Sequence, residues 1–184
     1  ITTRYPLHRF LCLYLYLFAF YDASTNTDAQ LITSLLKIKV DFLFDFDNGL
    51  LSKVSVFHLI FSVMLTSFTA FCNGSLKKIF FDFFSFPNNL NSHVEEISKQ
   101  MPNHPGELPP DICKQLEIKR SLLRSKQAIS EIALTFIVCV LFGIASMRLY
   151  DYIAISGMIG IIFFTQSSSF NFYLAEFLPY LIAE

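Results

Sequence analysis

Val54 to Cys72, VSVFHLIFSVMLTSFTAFC, decides how the rest of this chain is read. Its 19 residues carry no formal charge. At the helical rise per residue they extend about 28 Å, close to the hydrocarbon thickness of a bilayer. The Ser and Thr side chains within it can return their hydroxyl hydrogens to carbonyls of the preceding turn, so they are compatible with lipid. We read the stretch as a transmembrane helix. Asn73-Gly74 reads as its stop, in preference to a glycosylation signal at Asn73-Gly74-Ser75.

The whole chain shares this character. Of 184 residues, 53% are hydrophobic and 16% charged, against roughly 25% charged in soluble domains. A net charge of −1 provides no basic field for phosphate backbones, which excludes nucleic acid as a partner. Cys12, Cys72, Cys113 and Cys139 are far apart and form no C-x-x-C pair, so neither a disulfide framework nor a zinc site is expected. The 22 phenylalanines, whose codons are T-rich, point to an AT-rich genome such as an organelle's. Ile1 in place of methionine fits a processed precursor or an incomplete chain.

Upstream of the quoted stretch, residues 1–21 contain the apolar run YPLHRFLCLYLYLFAFY, read as a first span whose basic start reaches the headgroups. A buried core helix is the alternative. Residues 22–53 form a polar loop. Within it Val40 to Asp47 alternates apolar with acidic residues before Asn48-Gly49, the pattern of a strand and turn or of an interfacial segment. The DFDNG motif lacks the ligand spacing of a calcium loop.

Downstream, residues 73–131 are read as extramembrane. Lys77 and Lys78 precede Phe80, Phe81, Phe83 and Phe84, an interfacial cluster suited to lipid or to a neighbouring subunit. Ser92 to Glu95 has a capping-box pattern opening a short helix that ends near Pro102, and residues 102–110 form a stiff connector. Asp111 then caps a basic amphipathic helix. Ile118, Leu122, Ile129 and Ala133 lie on one face of it, opposite Lys119, Arg120, Arg124 and Lys126, and no breaker separates it from the apolar run at Ile132. Residues 132–184 are read as a membrane hairpin and tail, the second arm being long enough only if it continues through Gln166 and Ser167 to Ser169. The expected fold is thus all-α: a polytopic protein of three to four spans with an extramembrane amphipathic helix. Loop charges place the amino terminus and residues 73–131 on the positive side of the membrane.

Ionisable groups at membrane depth are the candidates for chemistry. Arg148, Asp151 and Glu176 are candidates for a proton or ion pathway, although Arg148 and Asp151 can also neutralise each other across one helical turn. His58 reads as a satisfied helix histidine, with haem ligation as the sharper alternative. Because His8 and His58 begin antiparallel spans, a haem would need a ligand from a partner chain, and no cofactor is expected from this chain alone. Ala154, Ser156, Gly157 and Gly160 form a small-residue face for contact with another helix. The stretch from Arg148 to Gly160, RLYDYIAISGMIG, resembles the arginine-bearing helix of the proton-channel subunit of rotary ATP synthases, but it lacks the asparagine that family carries shortly after its arginine. No nucleotide-binding, nucleophile-elbow, zinc-protease or Cys/His ligand motif is present. The sequence therefore leads to a non-catalytic subunit of a hetero-oligomeric membrane complex, in contact with lipids and other membrane subunits. Its expected setting is an energy-transducing complex of the mitochondrial inner membrane, a respiratory-chain or ATP synthase complex. A channel or transporter component is the alternative.

Overall fold

A computed structural model describes residues 7–25, 31–39, 41–42, 45, 47–85, 110–141 and 148–178. Within these residues the fold is all-helical, without a strand. Four long helices carry it: α1 (Leu7–Thr25), α4 (Val56–Ser85), α5 (Pro110–Leu141) and α6 (Leu149–Phe172). Two short ones, α2 (Leu31–Lys37) and α3 (Leu50–Lys53), sit against α1. One π-helical turn, Tyr173–Phe177, extends α6.

Helix α5 is the hub and touches α1, α4 and α6. Cross-helix contacts fix the directions. His8 meets Glu131 while Tyr16 meets Thr69, and Phe20 stacks on His58, so α1 runs parallel to α5 and antiparallel to α4. Lys119 meets Glu176 and Ser130 meets Gln166, so α5 and α6 are antiparallel. The apolar core gathers Tyr16, Leu17, Phe18, Ala19, Leu31, Leu50, Cys139 and Val140 around α1.

Two stretches, Val56–Ser85 and Leu149–Glu176, are long and apolar enough to cross a membrane. The sequence led to three or four. Helix α1 holds His8, Arg9 and Asp22 within its 19 residues; its stretch from Tyr16 to Ala19 is buried among α4, α5 and the short helices, while Leu7, Phe10 and Leu11 are exposed. The apolar end of α5 within the described helix is only Ile132 to Leu141. Both remain apolar, but neither has the length free of charge that a span by itself requires.

Helix α4 does not stop at Asn73-Gly74. It runs on to Ser85, because an interior glycine costs a helix only about 1 kcal/mol and the Lys-Lys-Ile-Phe-Phe run that follows packs on α6. Helix α5 joins the basic and apolar stretches in one rod, beginning at Pro110, a favoured first helical residue. Helix α6 continues through Gln166 and Ser169, as the hairpin reading needed. Arg148 has extended backbone (φ −112°, ψ 172°), so α6 begins afresh rather than as the kinked end of α5. The proposed helix at Ser92–Glu95 and the connector at 102–109 lie outside the described residues.

Where the alternating acidic stretch is described, Asp41 and Phe42 are helical and Asp45 opens a turn at Asp47 and Asn48. Asp45 accepts the backbone N–H groups of Asp47 (2.8 Å) and Asn48 (3.1 Å), the side-chain geometry that aspartate uses to start turns. Those N–H groups hold its carboxyl below the usual aspartate range. The turn then closes on Gly49, where a Cβ would lie 2.2 Å from the Asp45 carbonyl oxygen and 2.5 Å from that of Phe42. Gly49→Ala is expected to destabilise the fold by about 1–3 kcal/mol, the usual cost of overpacking, seen as a lowered unfolding midpoint in detergent. Because the folded form of Asp45 binds its proton less readily than the unfolded form, the turn keeps its stabilisation at neutral pH and loses it only as pH falls below the ordinary aspartate range. The protection of the Asp47 and Asn48 amides, measured as their exchange rate relative to the unstructured chain at the same pH, is expected to fall there and to stay constant between pH 6 and 8.

Candidate functional site

Helix α4 buries Ser62, Thr69 and Asn73 and none of its large apolar residues, whereas Val56, Phe57, Ile60, Met64, Phe68 and Phe71 are exposed. Ser62, Thr69 and Asn73 fall at i, i+7 and i+11, one face of a helix. Helix α6 does much the same, burying Asp151, Thr165, Gln166 and Ser169 beside Ile162 and Phe170. Helix α5 contributes buried Ser130, Glu131 and Thr135. The buried faces of these helices thus form a polar seam, and apolar side chains coat the outside.

Three helices meet in that seam at Ser130. Its hydroxyl donates to Asn73 Oδ1 (2.8 Å) and accepts from Gln166 Nε2 (3.0 Å), while Asn73 Nδ2 donates to the Gln127 carbonyl (3.3 Å). At the next residue of the hub helix the Glu131 carboxylate, 6% exposed, lies between His8 Nε2 and Arg9 Nε of α1, each at 3.4 Å. Towards the opposite end, the Thr135 hydroxyl donates to the Glu131 carbonyl (2.9 Å) and lies beside Cys12 and Tyr16. Tyr16 bonds Thr69 Oγ1 at 2.5 Å, and Thr69 in turn donates to the Leu65 carbonyl (2.8 Å).

The residues singled out from the sequence lie elsewhere. Asp151 is buried and caps α6, its carboxylate accepting the Arg148 backbone N–H at 2.8 Å. Glu176 is exposed and pairs with Lys119 at 2.6 Å, beyond the Ser130 level. The structure does not bring the three pathway candidates Arg148, Asp151 and Glu176 together: Arg148 and Asp151 start α6, and Glu176 lies past its end. His58 bonds Ser55 Oγ through Nδ1 (2.9 Å) and stacks on Phe20, at the end of α1 opposite His8. Phe80, Phe81 and Phe84 turn inward against Phe163, Phe170 and Tyr173 of α6 and its extension, while Phe83 stays 67% exposed. Lys77 lies over the Phe81 ring, and Lys78 is exposed. Ser156, Gly157 and Gly160 are on the outer surface, where a Cβ on either glycine would meet nothing within 4 Å, and Ala154 is half-buried.

The sequence reading missed Glu131, which it placed in an extramembrane segment, and Asn73, which it took for a stop. The i, i+7, i+11 spacing of Ser62, Thr69 and Asn73 was a usable signal. Glu131 had none, since its partners come from α1. Among the described residues no group of three or more His, Cys, Asp or Glu side chains gathers to hold a metal ion. Comparison with protein-family models, curated proteins and solved structures finds no match.

Ser130→Ala is expected to leave the Asn73 and Gln166 amides without their shared partner and to cost about 1–3 kcal/mol. The measurement is the unfolding midpoint in a detergent titration, with Ser168→Ala near the margin of the seam as the milder comparison.

Proposed function

We propose that this chain is an integral membrane protein serving as a non-catalytic subunit of a larger membrane assembly. The observation that carries the membrane reading is the inverted polarity of α4: its buried positions are Ser62, Thr69 and Asn73, and its exposed positions are phenylalanine, isoleucine, valine and methionine. In water that arrangement would waste the hydrophobic driving force and bury hydroxyls that solvent would satisfy. In hydrocarbon it is the favourable one. Apolar side chains gain nothing by associating there, and helices are joined by close packing and interhelical hydrogen bonds. Only 22% and 28% of the apolar windows in Val56–Ser85 and Leu149–Glu176 are buried, which a soluble core helix would not show.

In this reading α4 and the α6 stretch cross the bilayer. Helix α1 and the apolar end of α5 complete a four-helix membrane body, the amphipathic start of α5 projects beyond it, and His8, Arg9, Lys77, Lys78, Arg120 and Arg124 lie towards one side. The subunit role is supported by the outward small-residue face at Ser156, Gly157 and Gly160, which nothing among the described residues covers, and by the missing catalytic motifs. A mitochondrial inner-membrane complex of the respiratory chain or ATP synthase is the setting we propose, on the phenylalanine-rich composition alone.

Met64→Lys tests the membrane reading. Met64 is 62% exposed near the middle of the apolar stretch. In a bilayer a lysine there is expected to cost about 2.5–3.5 kcal/mol of insertion and to shift the chain out of the alkali-resistant membrane fraction. A variant that expresses and extracts like the unsubstituted chain would overturn the reading. Native-gel migration in mild detergent tests the assembly: a band well above the monomer with co-purifying chains is expected, and a lone monomer would refute the subunit role.

A further inference from the structure

The buried hydroxyls on the α1, α4 and α5 interface do more than join helices. Glu131, Thr135, Tyr16, Thr69, Ser62 and His58 lie in that order along the interface; Tyr16 and Thr69 are hydrogen-bonded to each other, and at rest Thr135 and Thr69 donate to the carbonyls of Glu131 and Leu65. The His8–Glu131 contact marks one end and the Phe20–His58 contact the other. Twelve residues of α1 separate these levels, about 18 Å along a helix. Thr135, Tyr16 and Ser62 are fully enclosed, and Thr69 is 2% exposed. Both ends carry titratable groups that reach the surface: the side chain of His8, beside Glu131, is 24% exposed, and His58 is half-buried. Arg9, Cys12 and Cys139 also face this row.

Structural joining alone does not account for two of these groups. Ser62 Oγ is fully buried and meets no hydrogen-bond partner among the described residues, although an alanine would fill its place without that cost. Glu131 holds a carboxylate among helices where a neutral residue would be cheaper, and its Oε1 has only the ion-pair contact with Arg9. A row of hydroxyls bounded by a carboxylate and an imidazole is the chemistry of proton relay.

We propose that this row conducts protons across the membrane body, between Glu131 with His8 at one mouth and His58 at the other. Each hydroxyl accepts a proton on a lone pair and releases its own onward, so only O–H bonds are made and broken, and the pH gradient alone drives the transfer. Thr69 and Ser62 are two turns apart on α4, about 10 Å, so the proposed transfer between them runs through a short file of waters ending on the unpartnered Ser62 hydroxyl. The proposal rests on the membrane reading above.

The test is proton flux by the purified full chain in phospholipid vesicles, read with an entrapped pH-sensitive dye after an external pH jump, with potassium and valinomycin clamping the potential. The unsubstituted chain is expected to dissipate the gradient faster than protein-free vesicles. Glu131→Gln, Tyr16→Phe and Ser62→Ala are each expected to return it to the protein-free rate. Ser62→Ala removes no hydrogen bond of its side chain, so its folding is preserved. Ser67→Ala, whose hydroxyl is exposed on the outer face and bonded within α4, leaves flux unchanged. Unsubstituted flux equal to protein-free vesicles, or full flux in Ser62→Ala and Tyr16→Phe, would overturn the relay. Flotation of the same vesicles separates the two ideas: a chain that floats without conducting sinks only the relay, and one that fails to float sinks the membrane reading with it.

Discussion

The Ser130 hydroxyl holds three helices at once, donating to Asn73 of α4 and accepting from Gln166 of α6 while its own backbone belongs to α5. The rest of the bundle depends on such bonds because its outward faces are apolar. Where the surrounding medium is hydrocarbon, phenylalanine and isoleucine have no reason to hide, and the free energy that orders the helices comes from packing and from polar atoms that find no other partner. The placement of Thr69 opposite Tyr16, and of Glu131 between His8 and Arg9, follows the same rule. Thr69 and Glu131 each meet their partners across a helix boundary, and such pairs specify which helices adjoin.

Helix α1 shows how this constraint distributes roles. Its sequence looks like that of a membrane span, yet its second half is enclosed by α4, α5 and the short helices and supplies half of the apolar core. The longer stretches in α4 and α6 have few buried apolar residues and many exposed ones. Hydropathy reports how apolar a stretch is, but not whether lipid or a neighbouring helix covers it. The aromatic cluster after Lys78 makes the same point in reverse. Its spacing fitted an interface, but Phe80, Phe81 and Phe84 find their partners in α6.

The charged residues divide by whether their partners are near in sequence. Asp151 and Arg148 sit three residues apart, so their nearness was legible from spacing, but the contact is the carboxylate on the Arg148 backbone N–H at a helix start, where the spacing had suggested mutual neutralisation of side chains. Glu176 and Lys119, or Glu131 and His8, are brought together only when α5 lies antiparallel to α6 and parallel to α1. No local pattern announces such a pair. Asn73 was misread for a related reason. Asn-Gly is a stop signal when the chain has nothing further to pack, and here the aromatic run beyond it packs on α6 and keeps the helix going.

By itself the sequence determined the all-helical class, the charge-free lengths of Val54 to Cys72 and of the stretch after Tyr152, and the continuity of α5, because periodicity and hydropathy are local properties of consecutive residues. Tertiary structure alone decided that the second half of α1 is enclosed, that Asn73, Ser130 and Gln166 meet, and that a carboxylate from α5 lies against a histidine and an arginine from α1. These facts depend on which helices adjoin and in which direction. Contacts between groups 36 or more residues apart set both, and nothing in the intervening chain records them.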